Sequence, residues 1–383
     1  MVAMSRLIVL LKQVKPLNWR RFWQIIRWLV GIALGVAVLE VLNGDKGELT
    51  ETVKYLTNFN VFYLLVAVMV EALSLISYSY LQLRLLHAAG IKVQQPWIAM
   101  VSFAALTISI SLPAGPAFST IYTFGQYRKK NTDEIAAGWT IFATFAVTAM
   151  ALAFLSALGA IIAYGESSSA DLLLSILVVF VLVALIFTIF WKRNYAVKIL
   201  AGLLALSHRL LKRPRQDPTE LIGKIRKRIS SIEFGRKDFF YIAAFGFGNW
   251  VFDCACLAVA FLAVGADIPW RGLLLAYGAG QLAQNLPITP GGLGVTEGSL
   301  TIALVAFGST GPASVAAVLL YRIISFWAYL PLGWLDYVLL RITESRKAGL
   351  PLREKRDEAD IMATLSKSKG SERSIDQRSR YVS

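Results

Sequence analysis

The chain has 383 residues, of which 56% are hydrophobic and only 16% charged; its net charge is +15 and its mean hydropathy +0.58. Soluble domains carry roughly 25% charged residues, so a water-soluble fold of this size is excluded, as is a disordered chain. The apolar stretches are long and continuous, which excludes an outer-membrane barrel and leaves an all-α, polytopic integral membrane protein.

Crossing the hydrocarbon core takes about 20 mostly apolar residues. In chain order, a basic leader (1–21) precedes a first candidate span at 22–42. That run follows charged residues and carries Glu40, so it is expected to be a retained span and not a secretory signal. Spans at 61–81 and 135–164 complete a first half; spans at 171–191, 239–264 and 315–340 form a second. Two further apolar regions are interrupted. Residues 97–112 stop at Leu112-Pro113-Ala114-Gly115-Pro116 before a short run to Tyr127. Residues 272–286 stop at Leu286-Pro287-Ile288-Thr289-Pro290-Gly291-Gly292 before the run Gly298 to Gly308. Each half is too short to cross alone, and Pro and Gly end helices.

Cytoplasmic loops are rich in Lys and Arg. The leader carries +5, residues 192–238 carry +9, the tail from Arg341 carries +4, and 82–96 and 128–134 carry +2 and +1. Residues 43–60, 165–171 and 265–271 carry −1, −2 and 0. Both flanks of 97–127 then lie in the cytoplasm and both flanks of 272–308 outside. The expectation is two re-entrant hairpins entering from opposite faces; two pairs of short, tilted spans fit the same flanks. About six full spans and two opposed hairpins follow, arranged as inverted repeats over 22–164 and 165–340, with a cytoplasmic tail (341–383) expected to be disordered. Within the basic loop 192–238, residues 194–212 suggest an amphipathic helix on the inner leaflet. The cluster Arg209, Lys212, Arg213, Arg215, Lys224, Arg226, Lys227 and Arg228 would face anionic headgroups, unless it reflects only the positive-inside bias.

Enzyme signatures are absent. There is no G-x-x-x-x-G-K-[ST] loop and no H-E-x-x-H, and the histidines, His87 and His208, fall in expected loops. No metal or other cofactor is expected. Cys254 and Cys256 share one apolar stretch and read as small buried residues. The net positive charge is accounted for by its place beside the spans, so nucleic-acid binding is discounted.

The densest polar constellation is Pro290, Gly291, Gly292, Gly294 and Glu297. These glycines permit close backbone approach, and the half-helix that follows presents unpaired N–H groups and the positive end of its dipole, which suits phosphate or carboxylate. Close packing alone would also use such glycines. Gly115, Ser119 and Thr120 offer a similar arrangement in the first hairpin. Glu297 and Arg322 are costly in hydrocarbon and are expected to pair or to line one cavity together; spare Arg322 donors would fork onto a phosphate. Gln281, Gln284 and Asn285 share a helical face. Asn249 and Asp253 are four residues apart on another span. Glu71 and Asp253 are candidates for proton coupling or for a structural hydrogen-bonded role. Arg128, Lys129 and Lys130 close the first hairpin and either gather headgroups or anchor it.

Pro290-Gly291-Gly292-Leu293-Gly294-x-x-Glu297, followed by Tyr321-Arg322 and Phe326-Trp327, resembles the lysylphosphatidylglycerol synthase transmembrane-region family, whose members are also called flippase-like domain proteins. Ser111-Leu112-Pro113-Ala114-Gly115-Pro116 is similar to that family's first-hairpin motif. The resemblance covers roughly 22–340 and implies a bacterial inner-membrane protein linked to lipid movement between leaflets. Carried over by position, it touches Pro290, Gly291, Gly292, Gly294, Glu297 and Arg322. The family's synthases add a soluble aminoacyl-transfer domain, for which the 43 residues after Leu340 are too few. The expectation is therefore a non-enzymatic flippase or transporter, multi-pass with both termini cytoplasmic, moving an anionic lipid or a lipid-linked glycan such as a polyprenyl-phosphate-linked head group. Contact with the membrane surface and with envelope-biosynthesis enzymes would accompany it. The alternatives are a membrane-embedded transferase using Glu71, Asp253 or Glu297 as base, and an accessory or scaffold for envelope lipid or glycan synthesis.

Overall fold

Without water to satisfy its amides, an apolar chain closes its hydrogen bonds within helices. The computed structural model describes residues 46–112, 115–130, 132–164, 197, 218–232, 235–284 and 290–344, and every regular element there is helical. In order these are α1 (Lys46–Thr57), α2 (Val61–Ala88), α3 (Gln95–Ser111), α4 (Gly115–Lys129), α5 (Glu134–Tyr164), α6 (Pro218–Ser230), α7 (Arg236–Ala263) and α8 (Trp270–Gln284). A 3-10 turn (Pro290–Gly292), α9 (Val295–Ala306), α10 (Gly311–Arg322) and a π-helical segment (Ile323–Trp327) follow. The first and fourth expected spans (22–42 and 171–191), the amphipathic stretch 194–212 apart from Val197, and residues 345–383 lie outside the described residues.

Four described helices are long and apolar enough to cross a bilayer: Val61–Ala88, Glu134–Ala163, Arg236–Ala263 and the helical run Gly311–Glu344. A helix of 28 residues is about 42 Å long, against a hydrocarbon core of about 30 Å. By contrast α3, α8 and α9, with 17, 15 and 12 residues, reach about 26, 23 and 18 Å. The order long, short, short, long over α2–α5 recurs as α7, α8, α9 and the run from Gly311. Pro96 and Pro312 sit in the first turns of α3 and α10, where a missing N–H costs nothing.

The helices α2 and α7 pack along their length and run antiparallel. The Asn60 N–H donates to Ala263 O at one end (2.6 Å). Midway, Ser74 Oγ donates to Asn249 O (2.9 Å) and accepts from Asn249 Nδ2 (3.1 Å). Further on, the rings of Tyr80 and Phe245 stack. The surface departs from that of a soluble fold: Phe62, Met69, Phe145, Phe239 and Ile302 are exposed, whereas Glu71, Ser77, Gln82, Thr107, Asp253, Gln281 and Arg322 are buried within a mostly apolar core. Apolar positions outside and polar ones inside are what a lipid solvent selects.

Three departures from the sequence reading have local causes. The segment 43–60, expected to be a loop, contains α1, whose Thr52, Tyr55 and Leu56 share a face turned to the core beside α10. The second span runs on to Ala88, so His87 lies in a helix's last turn and not in a loop. The basic loop contains α6, whose Ile225 and Ile229 pack with Leu81, Leu85 and Trp139. Arg228 thereby engages groups within the protein: its Nε donates to Asp133 (2.9 Å) and its Nη2 to Ala89 O (3.0 Å). Of the rest of that cluster, Arg209, Lys212, Arg213 and Arg215 lie outside the described residues.

The chain divides into two compact units, Met1–Gly333 and Trp334–Ser383. Of the second, 334–344 is helical, with Trp334 and Tyr337 meeting edge to face and Thr343 bonding back to Leu339 O.

Candidate functional site

Two glycines mark close approaches at the ends of the broken helices. At Gly115 the chain passes so close to α3 that a Cβ would lie 1.8 Å from Ser109 O. At Gly291 (φ +62°) the backbone is in the left-handed region, and a Cβ would lie 2.4 Å from the Phe326 ring and 3.3 Å from Ile110 O. The glycine turn therefore sits against both the end of α3 and the π segment. Gly292 and Gly294 share its positive φ.

Glu297 lies in the first turn of α9. Its Oε2 accepts the Gly294 N–H (2.7 Å), filling one unpaired donor at the helix start. Its Oε1 accepts from Arg322 Nε (2.6 Å). Arg322 Nη1 donates to Gln284 Oε1 (3.3 Å), Nη2 donates to Gly291 O (3.1 Å), and the guanidinium lies 4.3 Å from the centre of the Phe326 ring. The Arg322 side chain is only 3% exposed, against 20% for Glu297, so the pair opens toward its carboxylate. Described residues engage three of the five guanidinium N–H groups. Beside Gly292, Thr296 Oγ1 is buried and has no hydrogen-bond partner among described residues. Of the sequence alternatives for Glu297 and Arg322, the direct ion pair is formed.

The other expected residues divide. Gln284, Gly291, Gly292 and Gly294 join this cluster, and the backbone of Pro290 opens the turn. Asn285 lies outside the described residues. In the first hairpin Gly115 is buried, but Ser119 and Thr120 spend their hydroxyls on Pro116 O, at 3.0 and 2.7 Å. Such back-bonding is a local helix feature. Arg128 bonds to Thr132 O, and Lys130 lies over the Trp97 ring, so both help anchor that hairpin's end.

A second polar cluster joins Glu71 on α2 to Asp253 on α7. Asp253 Oδ2 accepts from Tyr277 Oη (2.6 Å) and Gln281 Nε2 (3.3 Å); Oδ1 accepts from Tyr321 Oη (2.8 Å). Gln281 Nε2 also donates to Tyr321 Oη (3.2 Å). Tyr329 Oη donates to Glu71 Oε1. Glu71 Oε2 is buried without a hydrogen bond among described residues, and the Glu71 carboxyl interacts with the Asp253 carboxyl and the Cys256 thiol. Tyr277, Tyr329 and Thr296 were not singled out from the sequence, and Tyr321 stood there only as part of the family motif. The spacing of Tyr277, Gln281 and Gln284 by four and three residues was the available signal.

Helices that bury charge and expose hydrocarbon, with spans of membrane length, define a multi-pass membrane protein. Residues 24–333 match the family described as Lysylphosphatidylglycerol synthase TM region, and the chain belongs to that family. It is also similar to UPF0104 membrane proteins of Methanothermobacter thermautotrophicus, at 32% identity over 85 residues and 40% over 81. These alignments cover 22% and 21% of the chain, and only 25% and 23% of the relatives' own length.

Proposed function

We propose that the protein moves an anionic lipid, or a head group carried on polyprenyl phosphate, across the bacterial inner membrane without altering it chemically. In this reading α3–α4 and α8–α9 are re-entrant hairpins from opposite faces, the halves are inverted repeats, and both termini are cytoplasmic. The supporting observation is the state of Arg322: buried, with three of its five N–H groups engaged by described residues, and set at a glycine turn with the hydroxyl of Thr296 nearby. Glu297 occupies the place an incoming phosphate would take, with one carboxylate oxygen on a helix-start N–H and the other on the guanidinium. A phosphate that draws Arg322 away from Glu297 exchanges one charge-assisted bond for another, so entry and release are both shallow in energy. The acyl or prenyl tail stays in lipid while the head group passes Gly291. Rocking of one repeat against the other would supply alternating access.

The test is movement of fluorescent phosphatidylglycerol between leaflets of reconstituted vesicles. Wild-type protein accelerates it, and R322A does not. Equal rates for the two proteins contradict the proposal. A chemically modified lipid recovered from the vesicles favours a transferase instead.

A further inference from the structure

We infer that Glu71 and Asp253 form one proton-exchange site whose occupancy sets the position of Arg322; its use in transport rests on the lipid-translocation reading above. Four observations carry this. The two carboxyls belong to different long helices, α2 and α7, and lie within direct interaction range in a buried setting. Ionised carboxylates only accept hydrogen bonds, so their contact becomes favourable when a proton lies between them. Glu71 Oε2 supplies the place: it is buried in a carboxyl that interacts with Asp253, and it makes no hydrogen bond among described residues. Asp253, by contrast, already accepts three donors. The proton comes from water, converts one carboxylate to a carboxylic acid, and leaves the other charged.

The link to Arg322 is the helix that carries it. Tyr321, one residue before Arg322, donates to Asp253; Tyr329, just past the π segment, donates to Glu71. In an uninterrupted α-helix residues eight apart point about 80° from each other. A π segment takes up about one residue of rotation, which brings the two tyrosines to within roughly 20° of one face. The π segment and the carboxyl pair therefore hold each other in place, and Arg322 sits between the two tyrosines. Loading or removing the proton changes what Tyr321 and Tyr329 donate to, and so the turn that aims Arg322 at Glu297. The groups facing the pair are Cys254 and Cys256 on α7, Tyr277 on α8, Tyr321 and Arg322 on α10, and Tyr329. Among them only Arg322 is a permanent charge.

The experiment is infrared difference spectroscopy on the purified full chain in nanodiscs of phosphatidylglycerol or phosphatidylcholine, titrated in potassium buffer. The expected result is a carboxylic-acid carbonyl band that titrates in wild type and is lost in E71Q. The glutamine keeps an acceptor for Tyr329, so folding is retained; D253N provides a second loss. The titration midpoint differs between the two lipids in wild type and coincides in R322K. A spectrum without a titrating band, or a band unchanged in both carboxyl variants, overturns the site. A band abolished by exchanging potassium for sodium at fixed pH overturns the proton assignment in favour of a metal cation. Coincident wild-type midpoints in the two lipids overturn the link to Arg322. A chain that titrates as expected yet moves no lipid removes the translocation reading and leaves the proton site standing. Lipid movement with no titrating band does the reverse.

Discussion

The two broken helix pairs match in layout and differ in chemistry. Both pair short helices around a glycine turn, and both lie between long helices. In α3–α4 the Ser119 and Thr120 hydroxyls bond back within their own helix, and Arg128 and Lys130 at its end meet the Thr132 carbonyl, the Glu134 carboxylate and the Trp97 ring. In the second pair, the turn before α9 has three glycines with positive φ, a carboxylate on the helix start and a buried arginine. A repeated layout therefore need not repeat a site. One pair supplies a wall, Ile110 against Gly291, and the other carries the Glu297–Arg322 ion pair at its glycine turn.

That asymmetry can be broken by substitution. The largest effect is expected for R322A, which leaves Glu297 without its cation. Losing one partner of a buried pair costs about 3–5 kcal/mol, so thermal unfolding of the detergent-solubilised protein shifts clearly downward. Next come G291A and G115A. Alanine at 291 meets the Phe326 ring in a backbone region that disfavours a side chain, and alanine at 115 meets Ser109 O. Each costs about 1–3 kcal/mol by the same assay, against less than about 0.5 for G125A, where a Cβ meets nothing within 4 Å. T296V removes the hydroxyl that has no partner among described residues, without opening space. It leaves thermal stability nearly unchanged but slows lipid movement about fivefold, the worth of one hydrogen bond. The smallest effect is expected for the S119A/T120A double variant, within about 0.5 kcal/mol and with lipid movement intact. A lipid-movement defect there as large as that of R322A would make the two hairpins chemical equals and end the comparison.

Much of this was legible in the chain. Long apolar runs gave α2, α5 and α7 to within a few residues at most boundaries, and Pro–Gly interruptions separated α3 from α4 and α8 from α9. Glu297 and Arg322 stood out because a charge in hydrocarbon needs a reason. What escaped had no hydropathy signature. The helix α1 is short and amphipathic, and α6 is so basic that its Ile225 and Ile229 stripe reads as loop. Tyr277, Tyr321 and Tyr329 look like ordinary apolar aromatics until their hydroxyls meet carboxylates on other helices. The π segment lies between the tertiary bonds of Tyr321 and Tyr329, and no local pattern in Ile323–Trp327 announces it.

The most direct measurement is an experimental structure of the full chain in nanodiscs of phosphatidylglycerol, with the head group located. The account predicts its phosphate within about 3 Å of the Arg322 guanidinium, beside Gly292 and Thr296, with Glu297 displaced from the arginine. A head group held elsewhere, with Glu297 and Arg322 still paired, would contradict it.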